Sequence, residues 1–243
     1  MALFMNEVKK LKAGKDDALI EAKAQHLLSA LKNRDTLKQV LLETNSCIRR
    51  TQKKGRYYYG KHSNQSCDPT SLQFKDESRL CKCLFYHQFN HSKNICCKCN
   101  FNDRFSLSGF SIPEYEFPSF YEKPKLGRID LIIKLDGSEC LYATEVKSYA
   151  ILGEKNNEEC LLRMIAEIMT YTLGYEGIFK KAIAFFKGSY QANEYERLLK
   201  MRPQSSLIKL LRAADITVFM FEKNNFSSPP QITIVKNPKK DFK

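Results

Sequence analysis

Asp130, Glu145 and Lys147 are the residues of this chain best suited to chemistry, and all three lie within GRIDLIIKLDGSECLYATEVKSY, residues 127–149. Asp130 interrupts one apolar run, and the triplet Glu145-Val146-Lys147 closes the next. Charged side chains in strand-like apolar sequence are costly unless something compensates them. Two carboxylates on neighbouring strands suit one hard cation bound through oxygen. A lysine beside them suits an activated water or the charge of a phosphoryl transition state.

Whether these groups meet depends on register. Arg128 to Leu135 and Cys140 to Lys147 read as strands, and Asp136-Gly137 is a hairpin signal. A two-residue turn sets Leu135 against Ser138 and Asp130 against Ala143, with Glu145 diagonal to Asp130, roughly 5–8 Å away at Cα. Ala143, Glu145 and Lys147 then share a face, while Tyr142, Thr144 and Val146 point the other way with Ile129, Leu131 and Ile133. A four-residue turn keeps the acids on one face, whereas a three-residue turn separates them.

With these residues the chain resembles the PD-(D/E)XK nuclease superfamily, the restriction-endonuclease-like fold. Asp130 matches the first motif acid, Glu145 the second and Lys147 the lysine; the motif proline is absent before Asp130. The GRID…EVK style is nearest the RecB-type and archaeal resolvase branches, and the resemblance covers roughly Ser106 to Phe221. It implies catalytic Asp130, Glu145 and Lys147. It also implies magnesium (or manganese) held by Asp130 and Glu145 with the Val146 carbonyl, and Lys147 assisting the water. It further implies an upstream helix with a third metal-facing acid, for which Glu21 is the candidate and His26 the RecB-like alternative. The RecB-type Gln-x-x-x-Tyr pattern is matched by Glu167 and Tyr171, with Glu replacing Gln. One helical turn would place both in the cleft. The alternative is a packed tyrosine and a solvated glutamate.

The flanking elements have the order this fold requires. Asp17 to Lys32 is amphipathic, with a stripe of Leu19, Ile20, Ala24, Leu27, Leu28 and Leu31, and Asp16 or Asp17 as N-cap. Glu158 to Gly174 has helical apolar spacing and ends at glycine. Lys181 to Phe186 and Ile216 to Phe221 read as strands, and Glu194 to Ala213 as a helix interrupted near Pro203. The expected class is α/β: a restriction-endonuclease-like mixed sheet flanked by helices, with a Cys-rich zinc-binding insertion. Residues 1–47 are the N-terminal helical part, 48–105 a basic, Cys-rich module and 106–243 the nuclease core.

Five of nine cysteines fall in CKCLFYHQFNHSKNICCKC, residues 81–99. Cys81, Cys83, Cys96 and Cys99 make the preferred structural zinc set, with Cys97, Cys67, His87 and His91 in reserve. An odd cysteine count, adjacent Cys96-Cys97 and no secretory leader argue against disulfides. Unliganded buried cysteines are the alternative, and Cys140 and Cys160 read as packing residues. An iron–sulfur cluster of the RecB type would need cysteines beyond the core, and none occurs near the C-terminus.

The chain has 40 basic and 27 acidic residues and a formal net charge of +13, which favours a polyanionic partner. RRTQKKGRYYYGKH, residues 49–62, interleaves Arg49, Arg50, Lys53, Lys54, Arg56 and Lys61 with tyrosines. Basic groups can grip phosphate while Tyr58 stacks on bases; the alternative is a solvated strand with a packed tyrosine. No apolar run reaches a membrane span. These features predict an intracellular protein, cytoplasmic or nuclear, that acts on DNA rather than RNA, with a homodimer if both strands are cut. They make the expected activity endonucleolytic hydrolysis of DNA phosphodiesters. The alternatives are a non-catalytic zinc-containing nucleic-acid-binding protein with a vestigial nuclease fold, and an RNA-directed nuclease.

Overall fold

The chain was analysed as a computed structural model that describes residues 4–42, 81, 84, 85, 106–118, 128–147, 159–224 and 231–236. Three N-terminal helices, α1 (Phe4–Val8), α2 (Asp17–Ala30) and α3 (Arg34–Leu42), precede four strands. These are β1 (Ser106–Ser108), β2 (Phe110–Pro118), β3 (Arg128–Leu135) and β4 (Leu141–Lys147). Then follow α4 (Leu161–Tyr171), β5 (Lys180–Phe186), α5 (Tyr190–Met201), α6 (Ser206–Ala213), β6 (Ile216–Asn224) and β7 (Gln231–Lys236).

The strands form one mixed sheet of seven in the order β1-β7-β6-β5-β4-β3-β2. β2, β3 and β4 form an antiparallel meander, and β4, β5 and β6 run parallel. Parallel neighbours need a crossover, which α4 supplies between β4 and β5, and the α5–α6 pair between β5 and β6. Pro203 separates α5 from α6, and Ser205 restarts the helix by accepting the Ile208 N–H on its side chain.

Sheet and helices meet in a core that joins Ile132, Ala143, Ile183, Phe185 and Val218 to Val8, Ala24, Leu27, Ile165, Ile168 and Leu210. The α2 stripe is narrower than its sequence suggests: Ile20, Ala24, Leu27 and Ala30 are buried, and Leu19 is exposed. Its Asp16 makes no side-chain cap; Asp16 and Asp17 instead accept the Lys12 and Gly14 N–H groups of the preceding turn. A second apolar cluster holds Leu131, Ile133, Tyr142, Val146, Ala184 and Phe219, with Cys81, Leu84 and Phe85 packed among them.

The β3–β4 hairpin differs from the two-residue turn in one respect. Ile132 pairs with Ala143 and Lys134 with Leu141, so the connection is two residues longer. Gly137 takes φ +70, Ser138 N–H donates to Leu135 O, and Cys140 N–H donates to Ser138 Oγ. The even increment preserves the face of each side chain in the paired stretch. It moves Asp130 from abreast of Ala143 to abreast of Glu145.

Candidate active site

Alternation brings Glu145 and Lys147 to the helix-facing side of β4, where α4 crosses. Both are buried, at 2% exposure each. Lys147 Nζ donates to Glu145 Oε1 at 2.8 Å and lies 3.4 Å from Glu167 Oε2 and 3.8 Å from Glu159 Oε2. Arg163 binds Glu167 Oε1 through Nε at 3.1 Å and pairs with Glu159 through Nη1. Glu159, Arg163 and Glu167 are spaced four apart along the start of α4, which puts them on one side of the helix.

Asp130 stands where the strand pairing gives out. The β3–β4 register ends at Leu131 with Thr144. Beyond it, Val146 N–H donates to Asp130 Oδ2 at 2.8 Å, so a side chain takes up the amide. Alternation breaks here as well. Ile129, expected on the face of Leu131 and Ile133, packs instead with Phe117 in the helix-side core. Glu116 on the neighbouring strand has φ +48, and its carboxylate accepts from Arg128 at 2.5 Å.

The electrostatics follow from this crowding. Burial disfavours charge on Glu167, but Lys147, Arg163 and a hydrogen bond with Glu145 outweigh it and hold its carboxyl below the usual range. Burial, then Glu167 and Glu145, push the Tyr171 phenol well above its ordinary value, so it remains a hydrogen-bond donor. Asp130 acts on Tyr171 in the same sense, which places the phenol near the acids of both strands and the helix. The packed-tyrosine, solvated-glutamate alternative therefore fails at Glu167, which is only 3% exposed.

The start of α4 is fixed from outside. Its N-cap is Cys160, whose thiol makes no cap. The distant Glu194 of α5 accepts the Leu161 N–H at 3.0 Å instead. Gln191 Nε2 donates to Glu159 O at 3.2 Å, and Lys12 forms an antiparallel bridge with Glu159. Burial pushes Glu194 up to about 7, and burial with Glu194 nearby pushes the Cys160 thiol up to about 12.

The structure therefore brings together Asp130, Glu145, Lys147, Glu167 and Tyr171, and adds Glu159 and Arg163. Glu21 lies elsewhere: its Oε1 accepts the Ser206 N–H at 2.7 Å and caps α6. His26 packs its ring toward Phe4. Arg49, Arg50, Lys53, Lys54, Arg56, Tyr58 and Lys61 lie outside the described residues, as do Cys83, Cys96 and Cys99; of the zinc set only Cys81 is described, buried in the second apolar cluster. The signal for Glu159 and Arg163 was the i, i+4 charge spacing leading into Glu167. Only the tertiary clamp by Lys12, Gln191 and Glu194 shows where that row points.

Among the described residues, no three His, Cys, Asp or Glu side chains are arranged to close around a metal, and Lys147 is the cation between the carboxylates. Comparison with protein-family models, curated proteins and solved structures finds no match. Among the described residues no helix is long and apolar enough to cross a membrane.

Proposed function

We propose that this chain is a metal-dependent nuclease that hydrolyses DNA phosphodiester bonds, built on a restriction-endonuclease-like core. The observation that carries the reading is the meeting of Asp130, Glu145 and Lys147 at the splayed end of two paired strands, with Glu167 and Tyr171 brought over them by the crossover helix. Three carboxylates (Glu145, Glu159 and Glu167) lie around two cations (Lys147 and Arg163), and Asp130 is close enough to act on Tyr171 beside them. The acids gathered here outnumber the cations, and a divalent cation would balance the remainder.

Asp130, Glu145 and the Val146 carbonyl would hold magnesium, or manganese in its place. When bound, the ion would supply an acidified water and neutralise charge at the leaving oxygen. Lys147 sits beside Glu145 with protons to donate, so it can orient a water or steady a negative phosphate oxygen. Glu167, itself bound by Arg163, lies against that ammonium, and protonated Tyr171 is available to a phosphate or sugar oxygen. Structural zinc on Cys81, Cys83, Cys96 and Cys99 belongs to the same proposal, and metal analysis of the purified chain with and without Cys81→Ser tests it.

A second reading is a non-catalytic nucleic-acid-binding protein. What favours it is the burial of Lys147, tied to three carboxylates rather than presented to solvent. Offering single- and double-stranded DNA and RNA, with magnesium or with chelator, separates the readings. The nuclease reading expects magnesium-dependent cleavage of DNA that Asp130→Ala and Glu145→Gln abolish. Tight, salt-sensitive binding with no cleavage of any substrate selects the second reading, and cleavage confined to RNA selects an RNA-directed nuclease.

A further inference from the structure

Seven residues near the N-terminus, KKLKAGK, contain Lys9, Lys10, Lys12 and Lys15. All four lysines are exposed, while Val8, Leu11 and Ala13 between and beside them are buried in the helix-side core. The segment is firmly tied down. Lys9 N–H donates to Met5 O, Lys10 N–H to Glu7 O and Leu11 N–H to Val8 O. Tyr190 Oη donates to Ala13 O at 2.5 Å, and Gly14 takes the φ of +79 that the turn needs. The acids of the segment also help to tie it down. Glu7 pairs with Lys23, and Asp16 and Asp17 accept backbone N–H groups of the same turn.

Position gives this row its meaning. Lys12 bridges Glu159 backbone to backbone, and the Glu159 carboxylate lies 3.8 Å from Lys147 Nζ. The row thus runs up to the rim of the candidate active site at the start of α4. Four exposed lysines on an anchored backbone beside a phosphodiester site suit the repeated charge of a nucleic-acid backbone, and the anchored backbone gives up little further order on binding.

We infer that Lys9, Lys10, Lys12 and Lys15 form a phosphate-gripping track that leads duplex DNA to the site beside Glu159. This rests on the nuclease reading for its substrate, but binding tests it separately from cleavage. The test uses the full chain carrying Asp130→Asn, with chelator present, and a labelled DNA duplex followed by anisotropy from low to moderate salt. One variant adds Lys9→Gln, Lys10→Gln, Lys12→Gln and Lys15→Gln. A control adds Lys32→Gln, Lys180→Gln, Lys200→Gln and Lys209→Gln, removing four exposed charges elsewhere. The track variant is expected to bind about tenfold or more weaker than the control and to lose about 2 or more from the salt slope. Equal loss in the two variants, no loss in either, or no duplex binding by the parent overturns the inference. Loss of cleavage in the natural sequence with this binding pattern intact would overturn the nuclease reading alone.

Discussion

Glu167 and Glu194 are buried to a similar depth on neighbouring helices, and their surroundings drive them in opposite directions. Glu167 lies against Lys147 and Arg163 and is held charged. Glu194 is pushed up by burial, against which the Leu161 N–H and Arg197 pull only in part, while Asp17 adds to the rise. The fold therefore sets cations against one buried acid and gives the other, which caps the start of α4, too little cationic company to offset its burial. Glu194 serves as a cap that a local Ser or Asp would usually provide. Glu167 belongs to a cluster with Glu145, Glu159, Lys147 and Arg163.

The sharpest way to break this contrast is to remove the cation that defines it. Lys147→Ala leaves Glu145 and Glu167 buried beside one another with only Arg163 at hand. Breaking a buried pair from one side costs about 3–5 kcal/mol, so a large drop in the urea midpoint at neutral pH is expected. A smaller loss on acidification would follow, because protonation relieves the stranded acids. A variant as stable as the parent would show that the cluster is open to solvent.

Glu194 gives the next largest effect, and its sign is fixed by linkage. A carboxyl raised in the folded state keeps its proton there after the unfolded chain has lost it. Glu194 therefore subtracts stability as pH rises from about 4.5 toward about 7. Glu194→Gln should flatten that part of the stability curve, by on the order of 2–3 kcal/mol at neutral pH. Glu167 behaves oppositely: its depressed pKa contributes stability above the ordinary carboxylate range, which is lost as pH falls below it. Denaturant melts from about pH 2 to pH 8 check both, and an unchanged slope in Glu194→Gln would remove the contrast.

A milder perturbation acts through the helix that carries Glu194. Ser189 accepts the Ala192 N–H at 3.2 Å and caps α5. Ser189→Ala should cost about 1 kcal/mol and loosen the hold of Glu194 on Leu161, read as faster amide exchange at the start of α4. Exchange unchanged there would mean that α4 is held without help from α5.

The parts of this molecule legible in its sequence are those with local causes. β3, α4, β5 and the start of β6 followed from apolar period and from Asp136-Gly137 and Gly174, with ends displaced by a few residues. The shared face of Glu145 and Lys147 followed from alternation, and Asp130 stayed with them because an even turn preserves parity. β2 was hidden: Pro113 and Pro118, Glu114 and a positive φ at Glu116 spoil its strand pattern, and it reads as irregular sequence. β1 pairs with β7 across a long stretch of chain, so no local signal announces it; β7 also pairs with the neighbouring β6, and its Ile, Thr and Val run was a local signal left unread. Glu159 was legible only in its i, i+4 spacing to Arg163 and not in where it points. It precedes α4 and reaches Lys147 only because Lys12, Gln191 and Glu194 grip that turn. Glu21 was read as a metal-facing acid, and the packing of α2 against α6 gives it an N-terminus to cap instead.

The central proposal is that Asp130 serves a cation in addition to accepting the Val146 N–H, and Asp130→Asn tests it most directly. An amide oxygen can still accept the Val146 N–H, so the strand end survives while one metal-facing charge is lost. Magnesium-dependent cleavage of labelled duplex DNA should be present in the parent and absent in Asp130→Asn, with the two chains melting at closely similar temperatures. Equal cleavage by both, or no magnesium-dependent cleavage by a folded parent, would contradict the account.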